Sequence, residues 1–136
     1  MARKKAIPNK YLTKQDNNRQ FVNAKGNKQK DKYIPLYISY MTSDAFMSLT
    51  TAERLLLIYM IQETRNPKLI KEGYGVKAFC FNQAVQKKWH TSTGKPFREK
   101  REKLIDRGFI RYIENNHHRG VPSIYELCEG WKTWTP

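Results

Sequence analysis

Residues 1–32 carry apolar side chains at no regular spacing, with Asn, Gln and Lys filling the gaps. Such a stretch cannot bury enough apolar surface to offset the entropy of ordering it, which predicts a flexible basic arm. From Tyr33 the character changes. Ile34, Leu36, Tyr37, Ile38 and Tyr40 suggest an extended lead-in, and a short helix from Ser43 or Asp44 through Met47 should follow. Thr50-Thr-Ala-Glu53 has the spacing of a capping box, in which Thr50 accepts from the third amide and Glu53 reaches back. The helix it opens is expected to run from Ala52 to Asn66 and to be ended by Pro67. Its centre, Leu55 to Ile61, is apolar nearly all round, so the helix must be covered on most sides, and any face left bare would be a dimerisation surface. Residues 68–77, with Gly73 and Gly75 around Leu69 and Ile70, read as a loop holding about one helical turn, and Ala78 to Phe81 as a short strand.

The pattern from Phe81 to Leu127 is the most informative. Asn82 can cap a short helix on which Ala84, Val85 and Trp89 share a buried face, with Lys87 and Lys88 turned away. His90 to Pro96 is too rich in Thr, Ser, Gly and Pro to continue it. A second helix, roughly Pro96 to Arg107, is expected to start from Thr93 or Ser92 as cap, with Pro96 acceptable in its first turn. Phe97, Leu104 and Ile105 gather on one side of it, with Arg101 intruding, while Lys95, Arg98, Glu99, Glu102 and Asp106 point the other way. Gly108 sits where a helix ends in a left-handed residue. Phe109 to Ile113, a turn at Asn115 to Gly120, and Pro122 to Leu127 then form a hairpin. Helix, turn, helix and hairpin in that order predict an α+β domain over residues 33–136 of the winged helix-turn-helix kind: a helical core with a small antiparallel β-sheet and wing, whose second helix enters the major groove.

Two segments carry a family resemblance. Leu104-Ile-Asp-Arg-Gly-Phe-Ile110, followed by a basic hairpin ending in Tyr125-Glu-Leu127, resembles the helix end, glycine, apolar pair and returning strand of winged-helix proteins on mobile elements. Tyr33-Ile-Pro-Leu36 and the stretch Asp44 to Leu57 are similar to their N-terminal half. Plasmid and phage replication initiators and accessory proteins of conjugative transfer share this layout, and the resemblance covers about residues 33–134. Arg101 stands where that family buries leucine.

Charge sharpens the picture. The formal net charge is +14, which points to nucleic acid or another anionic surface. Residues 1–32 hold ten Lys and Arg against two Asp and Glu, and residues 87–111 hold nine against three; everything else balances. The surplus of the folded part is therefore confined to the second helix and its flanks. Lys95 and Arg98 are the candidates for guanine edges, and Glu99 for a cytosine amine. Thr91, Ser92 and Thr93 are expected to hold phosphates through hydroxyls and helix-start amides. Lys87, Lys88, Lys100 and Lys103 are positioning charges, and Arg119 at the wing tip, with His117 and His118, is expected to enter a minor groove or touch the backbone.

No cofactor or metal is expected, because adjacent histidines on a turn lack Cys or carboxylate co-ligands. No acid pair, glycine-rich phosphate loop or activated nucleophile suggests an enzyme. Cys80 and Cys128 fit a reduced intracellular protein, with a disulfide between neighbouring strands as the alternative. No apolar run approaches the about 20 residues needed to span a bilayer, so a cytoplasmic location is expected. Trp131 and Trp134 should close the core, with base stacking or a protein partner as the other option.

The expected function is sequence-specific double-stranded DNA binding, as monomer or homodimer. The resemblance implies an accessory factor at an origin of transfer or replication on a plasmid or conjugative element, with a relaxase or replication proteins as further partners. A transcriptional repressor of the same fold is one alternative. A protein-recruiting module with unspecific nucleic-acid affinity is another.

Overall fold

The computed structural model describes residues 36–136. The expected arm at residues 1–32, and Tyr33 and Ile34 of the lead-in, lie outside the described residues. The architecture is α+β: six short to medium helices and one three-stranded antiparallel sheet. The helices are α1 (Ile38–Met41), α2 (Asp44–Met47), α3 (Thr51–Gln62), α4 (Pro67–Lys71), α5 (Gln83–Lys88) and α6 (Gly94–Asp106). The strands are β1 (Ala78–Phe79), β2 (Ile110–Glu114) and β3 (Ile124–Leu127), and a 3-10 turn at Gly130–Lys132 follows.

The lead-in is not extended as expected. Residues 38–41 form a helical turn, closed by the Thr42 amide and hydroxyl, which both donate to the Ile38 carbonyl at 2.9 Å. Coiling this segment swings the Tyr40 ring against Phe109 and Trp131, at centroid distances of 5.3 and 4.7 Å, while Tyr37 and Ile38 stay exposed. Tertiary packing of one aromatic thus overrides the local β-branched and aromatic preference. Ser43 caps α2, its hydroxyl accepting from the Phe46 amide at 3.2 Å.

α3 opens on the expected capping box: Glu53 N–H donates to Thr50 Oγ1 at 3.2 Å and Thr50 N–H to Glu53 Oε1 at 2.8 Å. It ends at Gln62, short of Asn66, because Arg65 turns left-handed with φ of 59°. Pro67 is not the stop. Asn66 accepts from the Lys68 and Leu69 amides and Pro67 is the first residue of α4, where its missing N–H would have had no partner. Leu56, Leu57 and Met60 of α3 are buried, whereas Leu55 is 45% exposed.

β3 is the middle strand. It pairs with β1 through Phe79 and Tyr125, and with β2 through Tyr112 and Tyr125, so three aromatic rings stack across the sheet. Phe79, Phe97, Leu104, Phe109 and Tyr125 join Leu57 and Met60 in one core. The close of the chain follows the simpler expectation: Trp131 packs on Phe109 and Tyr40, and Trp134 lies under the Arg107 guanidinium at 4.5 Å.

Between α6 and β2 the backbone reverses at Gly108, with φ of 83°. The Phe109 amide donates to the Leu104 carbonyl and the Gly108 amide to Ile105, both at 3.0 Å, the paired bonds of a Schellman end. A second reason for glycine is close approach: a Cβ at Gly108 would lie 2.4 Å from the Gly130 carbonyl carbon. Among the described residues no helix is long and apolar enough to cross a membrane, and Cys80 and Cys128 are free thiols.

Candidate nucleic-acid interface

α5 starts as expected, with Asn82 Oδ1 accepting from the Val85 amide at 3.1 Å. Its buried face differs. Val85 and Trp89 are half-buried and Ala84 is exposed, while Gln86 is 5% exposed. Gln86 turns inward because its Nε2 donates to the Phe81 carbonyl at 3.0 Å, tying the helix to the end of the preceding segment; its Oε1 has no partner among the described residues. The Trp89 ring stacks on Tyr59 at 4.6 Å. Glu63 Oε2 accepts both from the Trp89 indole and from Lys88, each at 2.8 Å. Lys88, expected at a phosphate, is therefore held by a half-buried carboxylate of α3's end.

The turn after α5 uses His90, at φ of 56°, as its left-handed residue. The Thr91 amide donates to the Gln86 carbonyl at 3.0 Å and its hydroxyl to the same oxygen at 3.3 Å. That hydroxyl closes a helix end. Thr93 occupies the cap position of α6, but its side chain makes no capping bond, and Ser92 Oγ accepts from Lys100 at 3.3 Å. The expected Ser or Thr cap is thus absent, and α6 starts on Gly94 with φ of 63°.

Along α6 the sides fall as expected: Phe97 and Leu104 are buried, and Lys95, Arg98, Glu99, Glu102 and Asp106 are exposed. Lys103 is not a free positioning charge; its ammonium lies 3.5 Å from Glu53. Lys95 and Glu99 face each other at 4.0 Å. Arg101, on the apolar side of the helix, has its guanidinium 5.9 Å from the Phe97 centroid and 5.8 Å from Tyr112, with the charged end 3.1 Å from Glu102. The stem covers apolar surface while the head reaches the rim. Beside it, burial and then the neighbouring Tyr112 phenol push the Tyr125 hydroxyl up to about 12, against the opposing pull of Arg101.

The hairpin tip is clamped by buried Asn116. Its amide donates to Ser123 Oγ and its Nδ2 to the Pro122 carbonyl, both at 2.9 Å, and its Oδ1 accepts from Arg119 at 3.1 Å. The clamp displays His117 and His118 outward, their rings 4.7 Å apart.

Between this tip and α6 runs a cleft of about 850 Å³, lined by Arg98, Arg101, Glu102, Tyr112, Asn115, His117, His118 and Arg119. It brings together four of the expected contact residues, Arg98, His117, His118 and Arg119. It leaves Lys95, Glu99, Lys87 and Lys100 outside, on exposed or half-exposed positions. Arg101, Glu102, Tyr112 and Asn115 were missed; the one usable signal was Glu102, placed on the exposed side of the helix by periodicity. A smaller cavity of about 230 Å³, which shares Arg98 and Arg101 with the cleft, touches Phe97, Gln86 and Tyr125. Among the described residues Arg98 has no ion-pair partner, and no three His, Cys, Asp or Glu side chains gather as a metal site. In comparison with known proteins, the chain matches no family model, no curated protein and no solved structure.

Proposed function

We propose that this protein reads double-stranded DNA as a winged helix-turn-helix, with α6 in the major groove and the β2–β3 hairpin beside it as the wing. The observation that carries the reading is the placement of Arg98. It stands exposed on α6, without a carboxylate partner among the described residues, on the same cleft as Arg119 and the two tip histidines. An exposed guanidinium with no carboxylate partner keeps all its donors for phosphates or a guanine edge. The six-charge surplus of residues 87–111 lies on the same part of the chain.

The resemblance to winged-helix proteins of mobile elements extends the reading to an accessory factor at an origin of transfer or replication. Footprinting on the parent element separates that role from repression: protection over a promoter, with transfer and replication unchanged, selects the repressor. Binding itself is tested by selecting duplexes from a random pool and competing the winner with random duplex. A competitor equal to the selected site removes sequence reading and leaves a recruiting module with general affinity for nucleic acid.

A further inference from the structure

We infer that Arg98 and Glu102 together define the target: a guanine met by Arg98 and, one or two base pairs away, a base with an exocyclic amine, cytosine or adenine, met by Glu102. This rests on the duplex reading above and specifies its substrate.

The two side chains are four residues apart on α6, so they share a face, separated by about 6 Å along the axis. That is close to two base steps of about 3.4 Å. Both line the larger cleft. Glu99, the acid that the sequence nominates for cytosine, does not line it and lies 4.0 Å from Lys95 instead. Glu102 keeps 60% of its side chain exposed, yet its carboxylate is held 3.1 Å from Arg101, whose own side chain is only 15% exposed. Arg101 is in turn fixed over Phe97 and Tyr112. The acid is therefore presented from a braced position.

A braced carboxylate on a DNA-facing surface is repelled by the duplex, which carries a negative charge every about 1.7 Å of axis. Arg101 offsets part of the repulsion at Oε2, and the remaining oxygen needs a hydrogen-bond donor to offset the rest. In the major groove the donors are the amines of cytosine N4 and adenine N6, while guanine and thymine offer oxygen acceptors there. Glu102 thus weakens binding to most sequences and strengthens discrimination, a repulsive contribution to specificity. Arg98, a forked donor, makes the complementary choice of guanine O6 and N7.

The test is duplex selection with the wild type, Glu102→Ala and Glu99→Ala, each checked by thermal melting. Alanine at an exposed helical position keeps the fold. The wild type should enrich a site with a guanine column and a cytosine or adenine column one or two steps away. Glu102→Ala should flatten the second column alone and bind random duplex a few-fold tighter, and Glu99→Ala should leave both columns. Replacing the selected base by an analogue without its amine should weaken the wild type about tenfold and Glu102→Ala not at all. An unchanged second column in Glu102→Ala overturns the inference while duplex reading stands. No enriched site with the wild type overturns the duplex reading and this inference with it.

Discussion

The ammonium of Lys103 lies 3.5 Å from the Glu53 carboxylate, on the same oxygen, Oε1, that accepts from the Thr50 amide. One acid thus caps α3 and ties α6 to it. Lys103→Ala should lower stability by about 1 kcal/mol, the range of a partly exposed pair, in urea titration. The salt dependence of DNA binding should stay the same; a slope shallower by about one unit would place Lys103 on a phosphate instead.

Arg98→Ala should cost about 1 to 3 kcal/mol on the selected duplex and relax one base position. Lys95→Ala should fall at the low end of that range, since Lys95 already faces Glu99 at 4.0 Å. Equal loss on every duplex would make either residue a phosphate contact.

Lys88, Lys103 and Arg111 pair with carboxylates outside residues 87–111, so about three of the six surplus charges remain for phosphates and the log-log salt slope should lie near −3. Titrations from low to moderate salt read this directly, and a slope near zero would mean that the cationic surplus of residues 87–111 does not face the duplex.

Gly108→Ala meets two penalties at once, a φ of 83° and a Cβ 2.4 Å from the Gly130 carbonyl carbon. Loss of at least about 2 kcal/mol in denaturant unfolding is expected. A loss under about 0.5 kcal/mol would show that the two backbones separate freely.

Stability should fall in alkali. The Tyr125 hydroxyl, raised from 10.0 to about 12 chiefly by burial, stays protonated in the folded chain while the unfolded chain ionises. Its contribution is complete below pH 10 and is lost as pH rises toward about 12, because the folded state then holds the extra proton. Tyr74, donating to Glu114, is raised to about 12 as well, and burial pushes Tyr40 up. Urea midpoints across this window should fall less steeply for Tyr125→Phe than for the wild type. An identical fall would assign the effect to Tyr40 and Tyr74.

Devices whose partners are near in sequence were legible before the structure. Thr50 with Glu53, Asn82 with Val85, and Gly108 at the end of α6 each use a bond spanning three to five residues. Pro67 was ambiguous by nature: proline both stops a helix and suits the first turn of the next, and Asn66 before it was the overlooked cue. Pairings across the fold left no local trace. Lys88 reaches Glu63 over 25 residues, and Lys103 reaches a different helix altogether, so a count of positive charges overstated how many are free. Gln86 has the composition of a surface residue and is buried only because the Phe81 carbonyl needs its amide. Of the cleft, Arg98, Arg119 and the two histidines were legible, but the pairing of Glu102 with Arg101 required knowing where Phe97 and Tyr112 lie.

The close approach of Gly108 and Gly130 fastens the end of α6 to the turn after β3 by main chain, at a point where no side chain fits between them. Any side chain added at Gly108 would have to push these two backbones apart. The seam is thus closed to any residue but glycine on either side, a fixed point about which the rest of the sequence can vary.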